Sequence, residues 1–205
     1  MSLHSSFVLI EGDHRRSVER LLAEFGYLFA VVPRTAQSFA SASKTLFQWQ
    51  VSPTVVKKAV GFVRGWTALF DPEQVLAGDP VRLQRLARLA RSRVFSMVCD
   101  GASGAYGFIS VRGAEMRALL SSSHGVVLDT GAPLTEESEI PRDGPGEDDV
   151  KRVLERVAFP FTAFAEPGIW QILTLEITEA AHAAGAAAGG GDEGAAHKRH
   201  WWRFW

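Results

Sequence analysis

Cys99, Asp100, Arg117 and His124 are the side chains from which a catalytic site would be assembled in this chain. A thiol attacks only as thiolate, so Cys99 needs a neighbouring base or a helix N-terminus to lower its pKa. No histidine stands near it in sequence, and His124 reaches it only if the fold brings the two together. Flanked by Val98 in an apolar run, Cys99 reads more simply as a small core residue. Glu136, Glu137 and Glu139 supply carboxylates, but acid–base work requires burial and fixed geometry to separate their pKa values. Their Pro- and Gly-flanked surroundings read instead as an exposed acidic surface for a partner.

Six histidines, at 4, 14, 124, 182, 197 and 200, include no i, i+4 pair and no H-E-x-x-H, so no metal site is expected. The single cysteine excludes an internal disulfide and a cysteine-based zinc site, and fits a reducing compartment. Asp100-Gly101-Ala102-Ser103-Gly104 carries two glycines but matches neither dinucleotide nor P-loop spacing, and reads as a hairpin loop. No cofactor is expected.

The C-terminal stretch is of a different kind. Residues 180–196 are almost entirely Ala and Gly, and Lys198-Arg199-His200-Trp201-Trp202-Arg203-Phe204-Trp205 follows. As a flexible coil the tether would let its tip roam on the order of 20–25 Å. Trp201, Trp202, Arg203 and Trp205 combine positive charge with amphipathic rings, suiting a groove on a partner or weak contact with a membrane interface. The plainer alternatives are that the tip folds back on its own domain or that Ala180 to Ala188 continue a helix.

The elements that must position these residues are read from periodicity. Phe7 to Ile10 is a short strand, and Val18, Leu21, Leu22 and Phe25 fall on one helical face, with Asp13 as its expected cap and Gly26 as its end. Tyr27 to Val32 reads as a strand; Arg34 to Lys44 has weak periodicity and is unassigned. Leu46 to Val51, Val55 to Arg64 and Trp66 to Phe70 read as strands, with Gly61 and Gly65 at a bulge or tight turn. Asp71-Pro72 and Asp79-Pro80 each offer a capping carboxylate followed by a proline at a first helical position. The second opens a clear helix with Leu83, Leu86, Ala87 and Ala90 inward. Val94 to Cys99, Tyr106 to Val111 and Glu115 to Leu120 form a meander, and Val126 to Leu128 adds a strand. Thr135 to Asp149 reads as an exposed acidic loop before a helix containing Val150, Val153, Leu154 and Val157, and Ile169 to Ile177 is a last strand. Trp66 and Trp170 are expected in the core.

The chain of 205 residues therefore reads as one α+β domain over 1–178, a linker over 179–197 and an aromatic-basic tail over 198–205. The domain is a largely antiparallel sheet with about three helices packed on it, since strands cluster in meanders. A formal net charge of −1 gives the chain as a whole no electrostatic reason to bind nucleic acid. The apolar run at the start is too short for a signal peptide or a membrane span, which makes the cytoplasm the expected compartment.

From Gly65 to Glu137 the order of features resembles a known group. Gly65-Trp66-Thr67-Ala68-Leu69-Phe70-Asp71-Pro72 precedes the helix around Leu83 to Leu89; Val94 and the 100–104 loop lead into Tyr106-Gly107-Phe108. Gly113, Arg117 and Gly131-Ala132-Pro133-Leu134-Thr135-Glu136-Glu137 complete it, over about a third of the chain. The segment resembles uncharacterised α+β bacterial proteins, some of which resemble immunity partners of polymorphic toxin systems. That resemblance implies a protein that binds and blocks a toxin, with another protein as partner and no catalytic residues. Three functional readings follow: a non-catalytic binding domain of immunity type, an enzyme whose site is assembled from Cys99, Asp100, His124 and Arg117, and an adaptor tethered by its tail. The first is favoured; the oligomeric state is left open.

Overall fold

The strands of this chain are apolar on both sides. In β1 (His4–Glu11), Val8 and Ile10 point to one side of the sheet and Phe7 and Leu9 to the other, and all four are buried. Such continuous burial requires a cover on each face. The computed structural model describes residues 4–47 and 54–178 apart from 73, 75 and 142, and it supplies both covers.

In chain order, β1 is followed by α1 (Val18–Ala23), β2 (Tyr27–Phe29), β3 (Arg34–Ala36), α2 (Phe39–Phe47), β4 (Val55–Val63), β5 (Trp66–Phe70) and α3 (Pro80–Ala90). Then come β6 (Val94–Asp100), β7 (Ala105–Arg112), β8 (Glu115–Ser122), β9 (Gly125–Thr130), α4 (Glu147–Val157) and β10 (Trp170–Ile177). Among the described residues the ten strands form one sheet in the order β2-β10-β4-β5-β1-β6-β7-β8-β9, with β3 pairing β10 beside β2. Every strand pairing is antiparallel. The α+β class read from the sequence is the one observed.

Helices α1 and α3 cover one face, where Leu21, Leu22, Leu83 and Leu86 pack on Val8, Ile10, Val60 and Val98. Helices α2 and α4 cover the other, together with a 3-10 turn over Phe161–Ala165. At the centre of that second core the Phe7 ring stacks on Phe164 at 4.0 Å and 13°, with Phe39 and Phe70 at 5.1 and 5.2 Å. Trp66 and Trp170 are both buried there, as expected. Gly61 in β4 exists for this packing: a Cβ on it would lie 2.6 Å from the Trp170 indole.

Asp79 caps α3 as its sequence implies, its Oδ1 accepting from Val81 N and Arg82 N at 3.0 Å each, with Pro80 in the first turn. Such a cap contributes about 1 kcal/mol. The Arg64-Gly65 turn takes φ of 49° and 88°, the left-handed pair that a two-residue hairpin between twisted strands demands.

Several expectations are corrected. Four α-helices are present among the described residues, in keeping with the expected three or so, and the unassigned Ser/Ala segment forms β3 and most of α2. Leu46 lies in α2 and not in a strand; residues 48–53 lie outside the described residues. Asp13 does not cap α1. It pairs with Arg15 at 2.7 Å, and Ser17 stands at the cap position. Asp71 caps no described helix; its Oδ2 instead accepts from Leu76 N and Ala77 N at 2.7 and 2.8 Å. The 135–149 segment is not wholly an exposed loop, since Thr135–Glu137 is a 3-10 turn and α4 starts at Glu147. The linker 179–197 and the tail lie outside the described residues.

Candidate functional site

The two edges of the sheet differ. On one side β10 is covered by β2 and β3, strands of three residues each, with Pro33 between them. Short strands and proline blunt an edge against further pairing. On the other side lies β9, six residues whose outer edge has no partner among the described residues. It contains neither Lys nor Pro. The pairing runs Ser121↔Val126 and then Leu120↔Leu128, so Val127 is the extra residue of a bulge and pairing with β8 resumes beyond it. Val126 and Val127 are 39% and 36% exposed, adjacent apolar side chains on an open edge.

What holds this edge in place is Arg117, in the middle of β8. Its Nε donates to both Glu137 carboxylate oxygens at 2.8 and 3.0 Å, and its Nη2 donates to Oε2 at 2.6 Å. Nη1 reaches the Asp129 carboxylate and donates to the Thr130 carbonyl at 3.2 Å. Leu134 N donates to Glu137 Oε1 at 2.8 Å. One guanidinium thus ties β8 to the end of β9 and to the 131–137 segment that follows. The Glu137 and Asp129 carboxylates, Glu137 foremost, raise the Arg117 pKa further above its ordinary value, while burial opposes them.

The three glutamates expected to form an acidic surface are divided by the fold. Glu137 is buried on Arg117, which corrects its reading as exposed. Glu139 stays exposed but pairs with Arg156 at 2.9 Å and Arg152 at 3.5 Å, both from α4. The Arg156 guanidinium, and secondarily Arg152, hold its carboxyl below the usual range. Glu136 accepts the Thr135 hydroxyl at 2.9 Å. Trp201, Trp202, Arg203 and Trp205 lie outside the described residues.

The four residues proposed for an assembled catalytic site do not converge. Cys99 is fully buried on the α4 side of the sheet, and burial first, then the Glu147 carboxylate, pushes its thiol up to about 12. Asp100, the next residue in β6, points to the opposite face by strand alternation. Its Oδ1 accepts from Ala102 N and Ser103 N at 3.1 and 3.4 Å. These bonds make the 100–104 segment a hairpin loop, as its sequence implies. His124 sits in the exposed β8–β9 turn. Arg117 pairs with Ser110, which pairs with Phe95, four residues along β6 from Cys99 and so about 13 Å away at strand rise. Among the described residues no three His, Cys, Asp or Glu side chains gather to hold a metal ion. No described helix is long and apolar enough to cross a membrane.

Sequence reasoning missed one buried charge pair. Lys58 in β4 and Asp71, the residue after β5, are both fully buried and joined ammonium to carboxylate. The Lys58 ammonium also lies 5.3 Å from the centre of the Tyr27 ring. The signal was present in the alternation: Lys58 is in phase with Val56 and Val60, both inward. The pair anchors Leu76 and Ala77, which pack on the α1/α3 face, a structural task.

Comparison of the chain with protein-family models, with curated proteins and with solved structures finds no match.

Proposed function

We propose that this chain is a non-catalytic protein-binding domain that takes an extended, apolar segment of a partner protein along β9. The observation that carries the reading is the open edge. Backbone donors and acceptors on an unpaired strand satisfy those of an added strand, and exposed side chains select it. Val126 and Val127 supply the apolar contact, and Arg117 fixes β9 so that little order is lost on binding. Glu136 and Glu139 would sit at a polar rim; Glu139 is already committed to Arg156, so it would add specificity more than affinity. Bound to a toxin, such an edge would act as an immunity-type inhibitor, the role that the resemblance of residues 65–137 implies. The lone reduced cysteine suits a cytoplasmic setting.

The test is capture of partners from the native host with three baits: the full chain, the full chain carrying Val127→Lys, and a chain ending at Thr178. Retention by the full and shortened chains, with loss on Val127→Lys, is the expected result. Loss with the shortened chain alone would move the function to Trp201 through Trp205 and make the protein an adaptor. Retention by all three would remove β9 from the interface.

A further inference from the structure

Near the β7–β8 hairpin, the face of the sheet that α2 and α4 cover carries a row of charges. One step past the Ile10↔Val94 and Val94↔Val111 pairings, Arg93 stands between Glu11 and Arg112, and Arg112 pairs in turn with Glu115. Alternation puts all four on the side of Leu9, Phe95, Phe108 and Leu119, which belong to the second core. Neighbouring strands lie about 5 Å apart, and like charges placed directly opposite repel. Yet none of the four makes an ion pair among the described residues, and the Nε of Arg93 is shielded from water with no hydrogen-bond partner.

An open cavity of about 530 Å³ lies over this part of the sheet, a size typical of small-ligand sites. Arg93, Ser110, Arg112 and Glu115 line it from the strands, and residues 132–136 line the rest. Arg117 borders it too, but Glu137 and Asp129 take up that guanidinium and so fix the 132–136 segment beside the opening. Ser110 is only 5% exposed, and its hydroxyl makes no hydrogen bond among the described residues. It lies two residues before Arg112 on the same face of β7, roughly 7 Å away at strand rise. A buried hydroxyl without a partner is costly unless a ligand supplies one.

We propose that this cavity binds a small zwitterion of the amino-acid class. Its carboxylate lies between the Arg93 and Arg112 guanidinium groups and accepts the Ser110 hydroxyl, and its ammonium faces Glu115 and Glu136. A carboxylate there relieves the repulsion of two adjacent arginines and makes charge-assisted hydrogen bonds with both. The lining carboxylates decide the class of ligand. Glu136 also borders the cavity and forms no ion pair, so two uncommitted guanidinium groups meet two uncommitted carboxylates. A multiply charged anion would be repelled by those carboxylates, whereas a molecule with one charge of each sign finds a partner at both ends. The site lies on the sheet face and uses none of the outer edge of β9, so it stands whether or not that edge binds a protein.

The test is calorimetric titration of the full chain with L-lysine, caproate and cadaverine at low salt. Lysine is expected to bind at least tenfold more tightly than caproate, which lacks an ammonium, and cadaverine, which lacks a carboxylate, should not bind. Arg93→Met, Arg112→Met and Ser110→Ala should each weaken lysine binding about tenfold or more, the scale of one charge-assisted hydrogen bond. Ser110 bonds nothing in the fold and Arg112 is exposed, so those two variants should keep the wild-type Tm and leave the test decisive should Arg93→Met fail to fold. Arg88→Met, on α3 across the sheet, should leave binding unchanged. Norleucine and ε-aminocaproate each keep one of the two ammonium groups of lysine; whichever binds better shows which group meets the carboxylates, and either result supports the site. Absence of binding at millimolar lysine overturns the proposal. So does caproate binding as tightly as lysine, or an equal loss on Arg88→Met.

Discussion

Arg117 in β8 and Glu137 in the 3-10 turn meet through three hydrogen bonds of 2.6–3.0 Å, with side chains only 5% and 7% exposed. Twenty residues apart in sequence, they decide where β9 and the segment after it can lie. The pair is buried and charged, so its two halves are worth far more together than apart.

Removing one half therefore costs more than removing both. Arg117→Met leaves the Glu137 carboxylate buried with the Leu134 N–H as its remaining partner, and a loss of roughly 3–5 kcal/mol in urea unfolding is expected. Glu137→Leu should cost a similar amount, since Asp129 is 61% exposed and compensates only in part. The double variant should recover most of the loss, because apolar groups of similar volume need no partner. Additive losses in the double variant would show that the pair is not energetically coupled.

The same pair shows where the sequence was legible and where it was not. Helix α3 was legible because Asp79-Pro80 states its start chemically and Leu83, Leu86 and Ala87 state its face. The β6–β7–β8 meander was legible because turn residues separate three apolar runs. Glu137 was not, because an acidic run flanked by Pro and Gly has the composition of a solvated loop, and its partner stands on a strand twenty residues earlier. Helix α2 was not, because Phe39, Ala42 and Leu46 give it a thin apolar face among serines, and its packing on Phe7 and Trp170 is tertiary. Lys58 obeys the inward alternation of β4, which its charge disguised, and Asp71, whose Asp-Pro pair suggested a helix cap, is committed instead to that buried ammonium.

Gly61 tests the second core. Alanine at this position would place its Cβ 2.6 Å from the Trp170 ring, which is pinned between Phe39 and Phe164. Overpacking of this kind costs typically 1–3 kcal/mol, so Gly61→Ala should lower Tm by about 4–8 °C at ~2 kcal/mol. Gly168→Ala, with open space around it and no left-handed φ, should change stability by less than about 0.5 kcal/mol. Equal Tm values for the two variants would mean that Trp170 gives way freely and that the aromatic cluster is looser than its ring contacts imply.

Cys99 makes the stability of the domain depend on alkaline pH. Burial, with the Glu147 carboxylate adding to it, raises the thiol from 9.0 to about 12 in the folded chain, whereas the unfolded chain releases its proton at an ordinary thiol pKa. The folded state therefore holds a proton that the unfolded state gives up. The stabilisation is complete below pH 9 and declines as pH climbs from 9 towards 12. At one pH unit per 1.36 kcal/mol, wild type should lose about 2–3 kcal/mol more than Cys99→Ala between pH 9 and pH 11. Urea unfolding of both proteins at intervals across that range isolates the thiol, because the other titrating groups are common to both. The same burial should keep Cys99 unreactive towards a disulfide reagent at pH 8 until urea exposes it. Parallel stability curves for the two proteins, or rapid labelling of the native chain, would show that the α4 face opens to solvent far more readily than its packing indicates.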